Sequence, residues 1–214
     1  LKRFILRNLA WTNPRYLLTH GKNKKTLRKI LAEHEGKVKG IVIYPPTIDW
    51  GFLFQRPQQL ARAFAAKGYL FFYCTGNFNV DRIHGFEQKG DRIYVTNDYE
   101  ALKLVPAPIL LISWTVNKAY MDKYKYSKLI YDYIDELDIF HMYDQSMVRD
   151  HEALVKRADV AIATADKLYQ QIALLNKDAI LCPNGVVMED FQVAEAPKVP
   201  EELALMKAAG KPII

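Results

Sequence analysis

From Gly40 onward the chain alternates short apolar runs with segments of helical spacing, and this alternation restricts the fold more than any other feature. Ile41-Val42-Ile43-Tyr44 is stopped by Pro45-Pro46 and reads as a buried strand. A helix is predicted over 57–67: Pro57 suits a first turn, Leu60, Ala61, Phe64 and Ala65 share one face, and Gly68 closes it. Further strands are predicted over 69–74, 93–95, 108–113, 129–131, 159–163 and 179–182, with helices over 116–124, 147–158 and 167–175. Strands apolar on both faces and separated by helices imply an α/β protein, a Rossmann-like parallel sheet with helices on both faces. Ligands of such sheets bind where the loops leave the carboxyl ends of the strands. The loops after Tyr44, Ser113, Tyr131 and Cys182 are therefore the candidate site.

Other bounds come from length and charge. At 214 residues and 50% hydrophobic, the chain can build one sizeable core. No apolar run is long enough to span a membrane as a helix. Eleven Lys and Arg stand against Glu33 and Glu35 through Lys39, about +9, while the remainder has nineteen against twenty-two. Residues 1–39 thus form a basic segment in which apolar residues such as Phe4, Leu6, Leu27 and Ile30 interleave with cations. Such a segment suits either an anionic membrane surface, giving a peripheral cytoplasmic protein, or packing on the main domain. No nucleic-acid motif accompanies the charge. Cys74 and Cys182 end apolar runs and are expected as reduced core residues of a cytosolic protein. Residues 40–195 are expected to form the main domain. Residues 196–214, with a linker around Pro197 and Pro200 and a final apolar run, are expected to open a further domain.

Each candidate loop carries unusual residues. The first holds Trp50-Gly51 and then Arg56 at the next helix start, with no GxGxxG between. Free N–H groups at a helix start beside a guanidinium suit a phosphate, and an indole suits a sugar ring. The second holds Trp114. The third, Tyr131-Asp132-Tyr133-Ile134-Asp135-Glu136-Leu137-Asp138, has four acids, of which Asp132 and Asp135 are the candidates for binding sugar hydroxyls. The fourth is Pro183-Asn184-Gly185, whose Asn184 and Gly185 tolerate positive φ and expose backbone groups. His20, His34, His84, His141 and His151 form no ligand set, so no metal site is expected, and neither a GxSxG elbow nor a Walker loop is present.

Together these residues resemble the amino-terminal domain of retaining glycosyltransferases of the GT-B fold, family 4 type. Arg56-Pro57-Gln58-Gln59-Leu60 with Gly68 resembles the family's first helix. Tyr131-Asp132 with Asp135 and Phe140 resembles its "YD…D…F" segment. Glu152, Leu154, Ala158-Asp159-Val160 and Thr164-Ala165 with Leu168 resemble "E…L…AD…TS…L", and Pro183-Asn184-Gly185-Val186 with Phe191 resembles "PNGVD…F". The chain has Ala165 where the family often has Ser, and Val187 where it often has Asp. The resemblance covers about 41–191 and leaves the basic segment uncovered. It implies that this domain binds a glycan or lipid-linked acceptor, in surface polysaccharide synthesis, and closes over a nucleotide-sugar held by a carboxy-terminal domain. The nucleotide-sugar is then a co-substrate and no cofactor is needed. Retention implies front-face attack, with the donor diphosphate assisting deprotonation, so no catalytic residue is named. Arg56 and the Gly51 backbone would steady the diphosphate, Asp132 and Asp135 would orient acceptor hydroxyls, and Trp50 and Trp114 would stack. Three alternatives remain: a glycan-binding module without catalysis, a sugar-nucleotide epimerase of the same architecture, and a membrane-anchoring scaffold driven by the basic segment.

Overall fold

The computed structural model describes residues 14–140, 143–188, 192 and 199–210. It divides into two compact units, with the boundary after Pro183.

The first unit is built on an eight-stranded sheet. Its strands are β1 (Ile41–Tyr44), β2 (Leu70–Cys74), β3 (Phe86–Gly90), β4 (Ile93–Thr96), β5 (Ile109–Ile112), β6 (Lys128–Tyr133), β7 (Val160–Ala163) and β8 (Ala179–Leu181). The spatial order is β3-β4-β2-β1-β5-β6-β7-β8, with every neighbouring pair parallel except β3–β4. The chain runs outward from β1 to β2 and β4, then returns to the other side of β1 to start β5. The sheet's topological switch point therefore lies between β1 and β5. The predicted α/β, Rossmann-like architecture is the one observed.

Alternation along each strand sends residues to two faces. Ile43, Phe72, Leu110, Leu129 and Tyr131 pack with Leu27 and Ile30 of α1 (Pro14–His34), Leu154 and Val155 of α3 (Gln145–Arg157), and Leu168 and Ile172 of α4 (Asp166–Ala173). Val42, Tyr44, Phe71, Tyr73, Val95 and Leu111 point the other way, onto Ala61 and Ala65 of α2 (Arg56–Ala66). Fully burying one such side chain contributes about 1.5–3 kcal/mol, so both layers stabilise the sheet substantially.

Three local differences from the sequence reading have physical causes. Strand β3 was not predicted because its residues are half-buried or exposed, as suits an edge. The helix predicted over 116–124 is a tight 3-10 segment, Thr115–Asp122. Strand β6 continues to Tyr133, two residues beyond the predicted end, so Asp132 lies inside the sheet opposite Ile162.

The described part of the basic segment is a helix docked on the domain. Leu27 and Ile30 sit in the core. Asp98 accepts a hydrogen bond from Asn23 at 2.9 Å and pairs with His20 Nδ1 at 3.0 Å. Lys22, Lys25, Arg28 and Lys29 are exposed. This stretch has its apolar residues Leu27 and Ile30 packed into the domain, while Phe4, Leu6 and their neighbours lie outside the described residues. Cys74 is fully buried, but Cys182 is exposed because it follows the edge strand β8, so only one of the two cysteines is a core residue.

In the second unit, residues 184–188 are exposed and α5 (Glu201–Ala208) buries none of its residues. Neither Asn184 nor Gly185 takes the positive φ that its residue type tolerates. Phe191 and the terminal run 211–214 lie outside the described residues. No described helix is long and apolar enough to cross a membrane.

Candidate functional site

A cleft of about 330 Å³ opens at the switch point, a volume within the range of small-ligand sites. Thr47 and Ile48 come from the loop after β1, Gln55 and Arg56 from the start of α2, Ser113, Trp114 and Thr115 from the end of β5, and Tyr133, Asp135 and Phe140 from beyond β6. Three of the four loops picked out from sequence thus meet here.

The centre of the site is an ion pair between residues 76 positions apart. Arg56 Nη2 donates to Asp132 Oδ1 at 2.8 Å, and Arg56 Nε donates to Oδ2 at 2.9 Å. The pair forms because α2 covers the face of the sheet onto which Asp132, at an even position of β6, points. Asp132 is inaccessible to solvent and Arg56 is 11% exposed. Burial alone would lower the guanidinium's pKa, but the Asp132 bond and charge, reinforced by Cys182, outweigh it and hold Arg56 protonated. Asp132, expected in an open loop facing acceptor hydroxyls, is instead a buried strand residue whose carboxylate is turned onto Arg56.

Aromatic and hydroxyl groups complete the cleft. Trp114 and Phe140 meet edge to face, 4.4 Å between ring centres, and form one wall. Asp135 is exposed at the mouth. Beneath the floor, Tyr44 Oη, Ser113 Oγ and Thr115 Oγ1 are buried with no hydrogen bond of ordinary geometry. Burial pushes the Tyr44 phenol up to about 12, with Ser113 and Thr47 close enough to moderate the shift. Asn117 closes the side of the floor, donating to Pro46 O at 3.0 Å and Thr47 Oγ1 at 3.2 Å.

Trp50 and Gly51 fall elsewhere. The Trp50 ring packs edge-on against Tyr73, 5.1 Å between centres, and lines a separate groove with Phe54, Arg62 and Lys89. Gly51 N donates to Asp81 Oδ1 at 3.0 Å, so its N–H is occupied within the protein and is not presented to a phosphate. Asn184 and Gly185 belong to the second unit.

Sequence reasoning missed the residues that shape the first loop. Asp49 is 1% exposed, and its carboxylate accepts from the backbone N–H groups of Phe78, Asn79, Val80 and Asp81 and from the Thr75 hydroxyl, at 2.7–3.2 Å. Asp81 returns the contact, accepting from Trp50 N at 2.6 Å and Gly51 N. Burial raises the Asp49 pKa, but these donors outweigh it and bring it down to about 2. Gln58, fully buried on α2, donates to the carbonyls of Trp50 and Leu53. Since every partner but the Thr75 hydroxyl is a backbone group, no side-chain spacing announced them.

Tyr131 Oη and His151 Nδ1 lie 2.9 Å apart, and burial depresses His151 to about 4 despite the opposing charge of Glu152. Among the described residues, no three His, Cys, Asp or Glu side chains gather as a metal site. No protein-family model matches this sequence, and no curated protein matches it.

Proposed function

We propose that this cleft is the acceptor site of a retaining glycosyltransferase and that the chain is its acceptor-side domain. The observation that carries the reading is the Arg56–Asp132 pair at the switch point. Arg56-Pro57-Gln58-Gln59 and Tyr131-Asp132, the segments that resemble the glycosyltransferase motifs, are brought to one cleft although they lie far apart in sequence.

In this reading an acceptor sugar lies against the Trp114–Phe140 wall, its C–H face on the rings. Asp135 accepts hydrogen bonds from its hydroxyls and fixes which one faces the donor. A nucleotide-sugar, held by a second domain, presents its anomeric carbon to that hydroxyl. The bond from the anomeric carbon to the diphosphate oxygen breaks and the bond to the acceptor oxygen forms. The acceptor proton leaves with the diphosphate. Arg56, kept charged and oriented by Asp132, stabilises the negative charge that develops on the leaving group. The acceptor is a glycan or lipid-linked sugar in this proposal, and the protein works on the cytoplasmic side of a membrane.

The test is the full-length gene product with a panel of nucleotide-sugars and glycan acceptors, following nucleoside diphosphate release and product mass. The reading expects a glycosylated acceptor and free diphosphate. Glycan binding with every nucleotide-sugar left intact supports a binding module instead. An altered sugar still attached to its nucleotide supports an epimerase.

A further inference from the structure

A second surface lies outside the cleft. The loops 49–55 and 76–82 are tied together by Asp49 and Asp81, which between them accept seven hydrogen bonds, six from backbone N–H groups. Such bracing would ordinarily serve to bury the side chains it carries. Here Phe52, Leu53, Phe54, Phe78 and Val80 remain 39–64% exposed. Leu53, the most exposed of them, is held at φ +48°, a left-handed conformation that strains a branched side chain. Gly76 lies flat beneath the Phe78 ring: a Cβ there would sit 2.2 Å from it. The apolar tips are thus held exposed by hydrogen-bonded loops, in a patch of the kind that marks an interaction site.

Charge identifies the partner. From Trp50 to Arg92 there are five Lys or Arg besides Arg56, which Asp132 holds in the cleft, and three acids. Of those acids, Asp81 is turned inward, Glu87 pairs with Lys89, and Asp91 pairs with Arg92. Exposed Arg62 stacks on Phe54 at 4.2 Å from the ring centre, and exposed Arg82 follows Val80 and Asp81 along the second loop. Apolar tips flanked by cations match an anionic bilayer, in which rings enter the interface while guanidinium groups meet lipid phosphates.

We propose that Phe52, Leu53, Phe54, Phe78 and Val80 insert into the interface of an anionic membrane, with Arg62 and Arg82 on the headgroups. The surface is independent of the sugar-transfer reading and stands if that reading fails. It differs from the basic helix α1, whose described apolar residues Leu27 and Ile30 face the core.

The test is co-sedimentation of the 214-residue chain with phosphatidylcholine vesicles, with and without phosphatidylglycerol. The wild type is expected to bind the phosphatidylglycerol vesicles and to bind less as salt rises. The triple variant Phe52→Ser, Leu53→Asn, Phe78→Ser is expected to bind at least about tenfold more weakly. Arg62→Gln with Arg82→Gln is expected to reduce binding severalfold, and only where phosphatidylglycerol is present. Hydrogen exchange on the wild type supplies a measurement that needs no variant: vesicles should slow exchange in 50–56 and 76–82. Absence of vesicle binding, undiminished binding by the triple variant, or slowing confined to 1–39 overturns the proposal.

Discussion

Replacing Asp49 by Asn isolates the contribution of the loop clasp. The carboxylate serves five donors: Oδ1 takes Thr75 Oγ1 and Phe78 N, while Oδ2 takes Asn79 N, Val80 N and Asp81 N. The best-placed asparagine turns its carbonyl to the three donors on the Oδ2 side. Its amide nitrogen then faces Thr75, whose hydroxyl can rotate to accept, and the Phe78 N–H, which cannot. One orphaned buried N–H costs about 1–2 kcal/mol. The three remaining bonds lose their charge assistance, about 1 kcal/mol each before allowing for non-additivity. The expected loss is about 3–4 kcal/mol, or a fall in Tm of roughly 6–16 °C for a domain of this size. Urea unfolding at pH 7 measures it. A second signature follows from the depressed pKa. The stabilisation from ionised Asp49 is full above its ordinary 3.8 and disappears as pH falls through about 2. The wild type should lose stability in that acid window and Asp49→Asn should not lose this component. A loss under about 1 kcal/mol at neutral pH, or an unchanged acid transition, would refute the reasoning.

Three more outcomes are expected. His151 is depressed from 6.5 to about 4, so the unfolded chain takes up a proton there before the folded one; stability should fall by about 3 kcal/mol as pH drops from 6.5 to 4, and urea titrations of His151→Gln should lack that component of the slope. Breaking the buried pair with Asp132→Ala should cost about 3–5 kcal/mol, read by chemical unfolding, because it strands the Arg56 charge. Trp114→Ala removes one face of the cleft wall and should weaken acceptor binding by about 5- to 150-fold in calorimetry, equivalent to about 1–3 kcal/mol, while leaving vesicle binding unchanged.

What could be read from the sequence was set by how far each interaction reaches. The seven parallel-sheet strands announced themselves because each carries a run of three or more apolar residues, a property local to a few positions. Edge strand β3 did not, since Glu87, Gln88 and Lys89 carry no apolar pattern. The carboxyl-end rule placed Arg56, Trp114 and Asp135 around one cleft. It left Asp132 in an open loop, because a two-residue error in the end of β6 hides that the side chain occupies a buried strand position. Trp50 and Gly51 were drawn away by Asp81, thirty residues on in a loop with no conspicuous motif. The Asp49 clasp was illegible for the same reason: backbone N–H donors leave no trace in residue identity.

The central claim, that the switch-point cleft holds a sugar, is tested most directly by following tryptophan indole N–H resonances while saccharides are added. Trp114 stands in the cleft and Trp50 in the separate groove, so the two report different places. With a panel of neutral and acidic mono- and disaccharides, at least one sugar should shift the Trp114 resonance saturably and leave Trp50 in place. Shifts confined to Trp50, or a Trp114 resonance that no sugar moves, would contradict the account.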